Sequence, residues 1–244
     1  MPSRSARRTL TPRNRPLRVL VTAGPTREPV DPVRYLSNES SGQMGFAIAE
    51  AAARAGHDVT LVTGPVSLPT PADVRRIHVV TALEMLRAVR TVFTKSDALY
   101  MAAAVSDWRP ERRLAGKWRA KDRPAGSAAR SSTSPGFSAL HATATLRLVQ
   151  NPDILAACGR SPDREGKLIV AFALETSGGI ARAKRKMKAK NADFIVLNDE
   201  RALNRPRASV LILGGDGSTR RLTNRTKTEI ADVLIGLLGQ LGPS

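Results

Sequence analysis

The chain has 244 residues, 41% of them hydrophobic and only 4% aromatic, with a formal net charge of +18. That length supports a sizeable core in one α/β domain, or one with an embedded flap; no apolar run reaches the roughly 18 residues of a membrane span, and a single cysteine, Cys158, excludes an internal disulfide. The excess positive charge attracts phosphorylated metabolites and nucleic acid alike and does not choose between them.

The first segment, MPSRSARRTLTPRNRP, is rich in arginine and free of acids. It has no apolar core for a secretory signal, and its prolines oppose the amphipathic helix of a transit peptide. Residues 1–16 therefore read as a disordered basic arm, residues 17–244 as the folded domain, and the protein as cytoplasmic. LRVLVTA (17–23) is a β-branched run bounded by Arg/Pro and Gly-Pro, which predicts a buried strand. The polar TAGPTREPVDP segment, continuing through Ser37, Asn38, Ser40, Ser41 and Gly42, reads as a loop. A small-residue helix with Ala47, Ala49, Ala51, Ala52 and Ala53 follows, then a second strand, HDVTLVTGP, at the spacing of a βαβ unit. ALEMLRAVRTVF predicts a helix with Leu83, Leu86 and Val89 on its apolar side; ALYMAAAV, KLIVAFAL and DFIVLN predict strands. Ile230, Val233, Leu234, Leu237, Leu238 and Leu241 form one stripe of a closing helix. The alternation implies an α/β, Rossmann-like, doubly wound and mostly parallel sheet with helices on both faces. The exception is about 109–142, polar and rich in Gly, Pro and Ser, which reads as a flexible flap.

In such a sheet, ligands bind beyond the carboxyl ends of the strands. The loop from Gly24 to Gly42 lies beyond the first of them, and SSGQMG puts two hydroxyls and two glycines at a helix start, where unpaired N–H groups and the helix dipole favour an anion. The alternative is a plain glycine turn. A GxGxxG fingerprint is absent, since Pro25 and Thr26 follow Gly24, which disfavours a simple dinucleotide site. His57, His78 and His141 lack zinc-ligand spacing, so a structural metal is not expected.

The stretch VTAGPTREPVDPVRYLSNESSGQMGFAIAEAAARAGHDVTLVTGPVSLPTP resembles the opening of phosphopantothenate–cysteine ligases of coenzyme A biosynthesis. The likeness recurs in order at AAAVSDWRP, NPDIL, AFALET and KMKAKNADFIVLND. It covers most of 17–200, weakens in 118–145 and is absent from the arm. The resemblance implies a bacterial-type enzyme that activates the carboxylate of 4'-phosphopantothenate with CTP and Mg2+. Pyrophosphate leaves, and the amine of cysteine then displaces CMP from an acyl-cytidylate.

It also implies site residues. Arg34 and Asn38 match positions that hold phosphopantothenate, Asn38 being tied to turnover of the acyl-cytidylate, and Ala104 matches a backbone contact to the same substrate. Ser40, Ser41 and Gly42 form the anion loop. Gly24, Met101, Ala102, Ala103 and Asp107 match the nucleotide-binding strands, and Lys117 the catalytic flap lysine. Asn151, Pro152, Asp153 and Ile154 match a nucleotide loop, Phe172 an aromatic beside the base, and Lys186 and Lys190, four apart on one helix face, two nucleotide-binding lysines. Each has a plainer alternative: a turn or cap at Asn38, a helix cap at Asp107, an exposed lysine at Lys117, a helix start at Asn151–Ile154 and a solvated face around Lys186. No metal ligand is identified, and no flavin is expected. The family is dimeric, so a homodimer is expected. Nothing before Leu17 corresponds to the flavin-dependent decarboxylase often fused to this ligase, so that activity is expected on another chain.

Three departures stand out. Gln43 replaces a usual Lys or Arg; the flap reads Lys117-Trp118-Arg119-Ala120-Lys121 where Lys-x-Lys-Lys is usual; and a long segment follows it. Two other readings compete. One is nucleic-acid binding through the basic arm, opposed by the scarcity of aromatics for stacking. The other is an NAD(P)-dependent reductase, opposed by the missing glycine fingerprint.

Overall fold

Short β-branched runs that are buried along their length pair into a parallel sheet, and the segments between them supply its covering helices. The computed structural model describes residues 15–119, 145–175, 179–199 and 205–241. The elements in chain order are β1 (Arg18–Ala23), β2 (Arg27–Pro29), β3 (Tyr35–Ser37), α1 (Gln43–Arg54), β4 (Asp58–Thr63), β5 (Val74–His78) and α2 (Ala82–Phe93). Next come β6 (Ala98–Met101), β7 (Trp108–Pro110), β8 (Leu148–Gln150), α3 (Ile154–Gly159), β9 (Leu168–Glu175) and α4 (Gly179–Ala189). The chain closes with β10 (Phe194–Asp199), β11 (Arg207–Gly214), β12 (Thr219–Thr226) and α5 (Lys227–Ile235), the last running into a 3-10 turn over Gly236–Gln240.

The central sheet has the order β12-β11-β10-β9-β6-β1-β4-β5. Six strands, from β5 to β10, are parallel, and β11 and β12 extend the sheet as an antiparallel ribbon. The chain starts at β1, winds outward to β4 and β5, then returns to β6 on the other side. This reversal puts the switch point between β1 and β6, where a crevice must open beyond their carboxyl ends. α1 and α5 pack on one face, with Ile48, Ala49, Ala52, Ile230 and Leu234 buried against Val19, Val21, Tyr100 and Val170. α2, α3 and α4 cover the other, through Met85, Val89, Phe93, Ile154, Ala183 and Met187.

The details refine the sequence reading. The buried side of α2 is Ala82, Met85, Val89 and Phe93, so its stripe is rotated from the Leu83–Leu86 side. α2 starts at a capping box, in which Thr81 Oγ1 accepts from Glu84 N at 3.2 Å and the Glu84 carboxylate accepts from Thr81 N at 3.4 Å. The strand predicted over ALYMAAAV ends at Met101, because Ala102–Ala104 leave the sheet to line the crevice. The flap is rooted in a two-stranded ribbon, β7 with β8; Ala120, Lys121 and the rest of it up to residue 144 lie outside the described residues, as do residues 1–14 of the arm. Arg15, read as part of that arm, bonds Asp97 at 3.0 Å.

Candidate functional site

The loops after β1 and β6 are stitched together beyond the sheet. Ala104 N donates to Gly24 O at 2.9 Å, and Thr26 N donates to Ala104 O at 3.3 Å. Gly24 makes the bend with φ of 70°, and a Cβ there would stand 2.8 Å from Val66 Cγ1. Asn38 then reaches across from the end of the β2–β3 hairpin. Its Nδ2 donates to Val105 O at 3.1 Å and Ala104 O at 3.4 Å, so it caps no helix, and its Oδ1 is the group left to accept from a ligand.

One wall of the crevice is the start of α1. Its N-cap is Gly42, at φ of 77°, and no side chain caps it. By contrast α2, α3 and α5 are capped by Thr81, Asp153 and Thr226. The unpaired N–H groups of the first turn of α1 thus open onto the crevice beside Ser40 and Ser41, an arrangement that accepts an anion. Gly45 sits in that turn for a packing reason: a Cβ there would stand 2.5 Å from Ala23 Cβ and 2.8 Å from Thr22 O.

The opposite side comes from β9, β10 and β11. Phe172, Leu174, Val196, Asn198 and Val210 floor a crevice of about 710 Å³. Lys186 stands over it, its Nζ 3.3 Å from Phe172 O, and Lys227 enters from α5. Among the described residues the acids that line it are Glu39 and Asp107. Asp107 is exposed and is followed by β7, so it is not a helix cap. A polar anion end and an apolar floor therefore share one cleft.

A protein-family model described as the DNA/pantothenate metabolism flavoprotein C-terminal domain matches residues 15–130 and 137–241. The chain belongs to this family. It is 44% identical over 187 residues to the coenzyme A biosynthesis bifunctional protein CoaBC of Escherichia coli (strain K12), over 75% of this chain and 41% of that protein. The chain thus spans less than half the length of that relative. The crystal structure of the C-terminal domain of CoaBC superposes with a TM-score of 0.73 at 33% identity, over 92% of this chain and 94% of that one. A Cab2 variant in complex with phosphopantothenate-cysteine shares the fold, with a TM-score of 0.69 at 18% identity over 92% of this chain and 86% of that one.

Of the residues carried over by resemblance to this flavoprotein-named family, the structure gathers Asn38, Ser40, Ser41, Gly42, Ala102, Ala103, Ala104, Asp107, Phe172 and Lys186 around the crevice. Others have partners that explain them structurally. The N–H of Ala103 goes to Thr22 Oγ1 at 3.1 Å and that of Ala104 to Gly24, so neither amide is left to donate to a ligand. Met101 Sδ accepts from Thr22 Oγ1 at 3.3 Å. Asn151 is a clamp: Nδ2 donates to Ser106 O at 2.9 Å, and Oδ1 accepts from Arg109 at 3.1 Å. Asp153 caps α3 by accepting from Ala156 N at 2.7 Å and forms an ion pair with Lys190. Burial opposes its charge, but the lysine and the amide outweigh it and lower its pKa. Pro152 and Ile154 flank that cap.

Arg34 is held by Asp31 at 3.2 Å and also donates to Trp118 O at 2.5 Å. Asp31, whose side chain is fully buried, further accepts from Val33 N, Arg34 N and Trp118 N at 2.8, 2.8 and 3.0 Å. This carboxylate fastens the start of the flap to the β2–β3 turn. Lys117 is exposed beside that anchor and lines no part of the crevice.

Sequence reasoning missed Asn198 and Lys227. Asn198 Oδ1 is a buried acceptor without a partner among the described residues, and a ligand N–H or O–H would satisfy it. The DFIVLN strand pattern placed Asn198 at a strand end but not on this floor. Nothing in the sequence ties Lys227 to a loop almost two hundred residues earlier. Among the described residues no group of three or more His, Cys, Asp or Glu side chains could hold a metal. Nor is any helix there long and apolar enough to cross a membrane.

Proposed function

We propose that the chain is a CTP-dependent phosphopantothenate–cysteine ligase, forming 4'-phosphopantothenoylcysteine through an acyl-cytidylate with release of pyrophosphate and CMP. The observation that carries this is the uncapped start of α1, set at the switch point and facing Asn38, Phe172 and Lys186 across one cleft. Two successive acyl and phosphoryl displacements concentrate negative charge, and a helix N-terminus with nearby ammonium groups stabilises it where it develops. Asn38 holds its Nδ2 on two carbonyls and offers Oδ1 to the incoming amine of cysteine, orienting its lone pair toward the acyl carbon. Mg2+ enters as part of the nucleotide substrate, bound mainly by phosphate oxygens and water, which fits a crevice whose carboxylates among the described residues are Glu39 and Asp107. Cys158 is not a nucleophile in this scheme: it is buried on α3, and burial pushes its thiol up to about 12.

The same reading makes the protein a homodimer. Val33, Tyr35, Trp108 and Leu148 are exposed on the β2–β3 and β7–β8 ribbons, which pack together, and light scattering at micromolar concentration should give twice the chain mass. The deciding assay for function is pyrophosphate release with 4'-phosphopantothenate, cysteine and Mg2+, with CTP or ATP supplied in turn and products identified by mass. Phosphopantothenoylcysteine is expected with CTP. Absence of product with either nucleotide refutes the ligase reading.

A further inference from the structure

Lys227 is a cation in an unfavourable place. It is the first residue of α5, where the helix dipole opposes positive charge. It is half-buried in the crevice wall, and burial lowers its pKa. Among the described residues no hydrogen bond or ion pair holds its ammonium. Glu229, two positions on, is taken by Arg225 at 2.8 Å, Arg207 at 3.7 Å and Thr226 N at 2.7 Å. Lys167, whose pKa burial also lowers, instead donates to Thr94 O at 3.1 Å and to Ser96 O. A half-buried ammonium without a partner weakens the unliganded protein, and an arriving anion removes that penalty.

Topology says where the anion sits. Two antiparallel steps, β10 to β11 and β11 to β12, return β12 to the direction of the parallel strands. α5 therefore starts at the same carboxyl edge as α1, and the two helices pack side by side. Lys227 and the uncapped first turn of α1 accordingly line one crevice, with Lys186 on its other side. Gln43, the first residue of α1, is neutral, so α1 itself brings no side-chain charge there.

We propose that Lys227 is a phosphate-binding residue of this site, its ammonium and that of Lys186 holding the oxygens of a phosphoryl group seated at the α1 N-terminus. This deepens the ligase reading and rests on it for the ligand's identity. The phosphoryl group belongs either to the nucleoside triphosphate or to the phosphate ester of the acid substrate.

The test uses the full chain and calorimetric binding of CTP, inorganic tripolyphosphate and 4'-phosphopantothenate, each alone, to wild type, Lys227→Gln and Lys227→Arg. Lys227→Gln is expected to weaken binding about tenfold, with Arg restoring most of it, because a charge-assisted contact to phosphate is lost and regained. A loss confined to CTP and tripolyphosphate assigns the triphosphate; one confined to phosphopantothenate assigns the ester. Unchanged affinity for all three in folded Lys227→Gln overturns the proposal. Should that variant not fold, amine acylation of wild type read by mass spectrometry decides: the phosphate ligands should protect Lys227, and equal labelling with and without them overturns the assignment. Phosphate binding that depends on Lys227 in a protein that makes no ligase product would overturn only the ligase reading.

Discussion

At Asn38 and Asn198 the same amide group meets opposite circumstances. Asn38 spends its N–H donors on two backbone carbonyls and keeps its oxygen. Asn38→Asp would set a carboxylate against those carbonyls, so the side chain is expected to turn away. Under the ligase reading, product formation should fall by roughly 100-fold or more, the scale of losing one oriented polar group at a reacting centre, while pyrophosphate still appears in a single-turnover burst. Full product formation would remove Asn38 from the mechanism. Asn198 keeps an oxygen that no described residue satisfies. Asn198→Leu should therefore raise the stability of the unliganded protein by about 1–3 kcal/mol, seen as a Tm several degrees higher, and weaken ligand binding in the same preparation. A lower Tm would show that the amide is satisfied in solution.

Among elements, the seat of α1 on β1 is the contact on which the site depends. Gly45→Ala places a methyl against the β1 backbone as well as Ala23, and backbone cannot yield as a side-chain tip can. A destabilisation of about 1–3 kcal/mol is expected in urea unfolding, together with weaker phosphate binding as the helix start lifts. At the opposite edge Asp97 joins β6 to the start of β1, accepting from Arg18 N at 2.8 Å and from Arg15 and Arg18 side chains at 3.0–3.4 Å. Burial opposes its charge, but these bonds prevail and hold its pKa at about 2 rather than 3.8. The carboxylate thus binds fewer protons in the folded state, so its contribution is complete above pH ~4 and disappears as pH falls through ~2. The pH dependence of Tm below 4 should flatten in Asp97→Asn, and an unaltered slope would assign it to other acids.

For the molecule as a whole, the charge of +18 is a long-range field rather than a site. Deleting residues 1–14 removes Arg4, Arg7, Arg8 and Arg13 but leaves the Arg15–Asp97 bond. The truncated chain is expected to keep its Tm and, under the ligase reading, its turnover, and any salt-sensitive DNA or RNA binding carried by the arm should be lost. Nucleic-acid affinity that survives the deletion would locate the contact on the folded domain, where Arg182, Lys184, Arg185 and Lys188 of α4 are exposed.

The sequence by itself determined the βαβ series, the closing helix and the loop that lines the site, because each is written in local terms. Runs of Val, Ile and Leu bury whole strands, small residues mark the closely packed α1, and Gly with Ser marks its start. It did not reveal β12, since a polar strand at a sheet edge such as TRRLTNRT carries almost no apolar signal; β11, RASVLILG, does carry an apolar run, but nothing local shows that it pairs antiparallel on β10. The short ribbons β2–β3 and β7–β8 are equally silent, each strand having only three residues. Tertiary structure alone decided which matched residues meet in the cleft and which, such as Asn151, Lys190 and Arg34, are held by neighbours. It also decided that Lys227 and α1 share an edge, because strand direction across the sheet follows from pairing between distant segments.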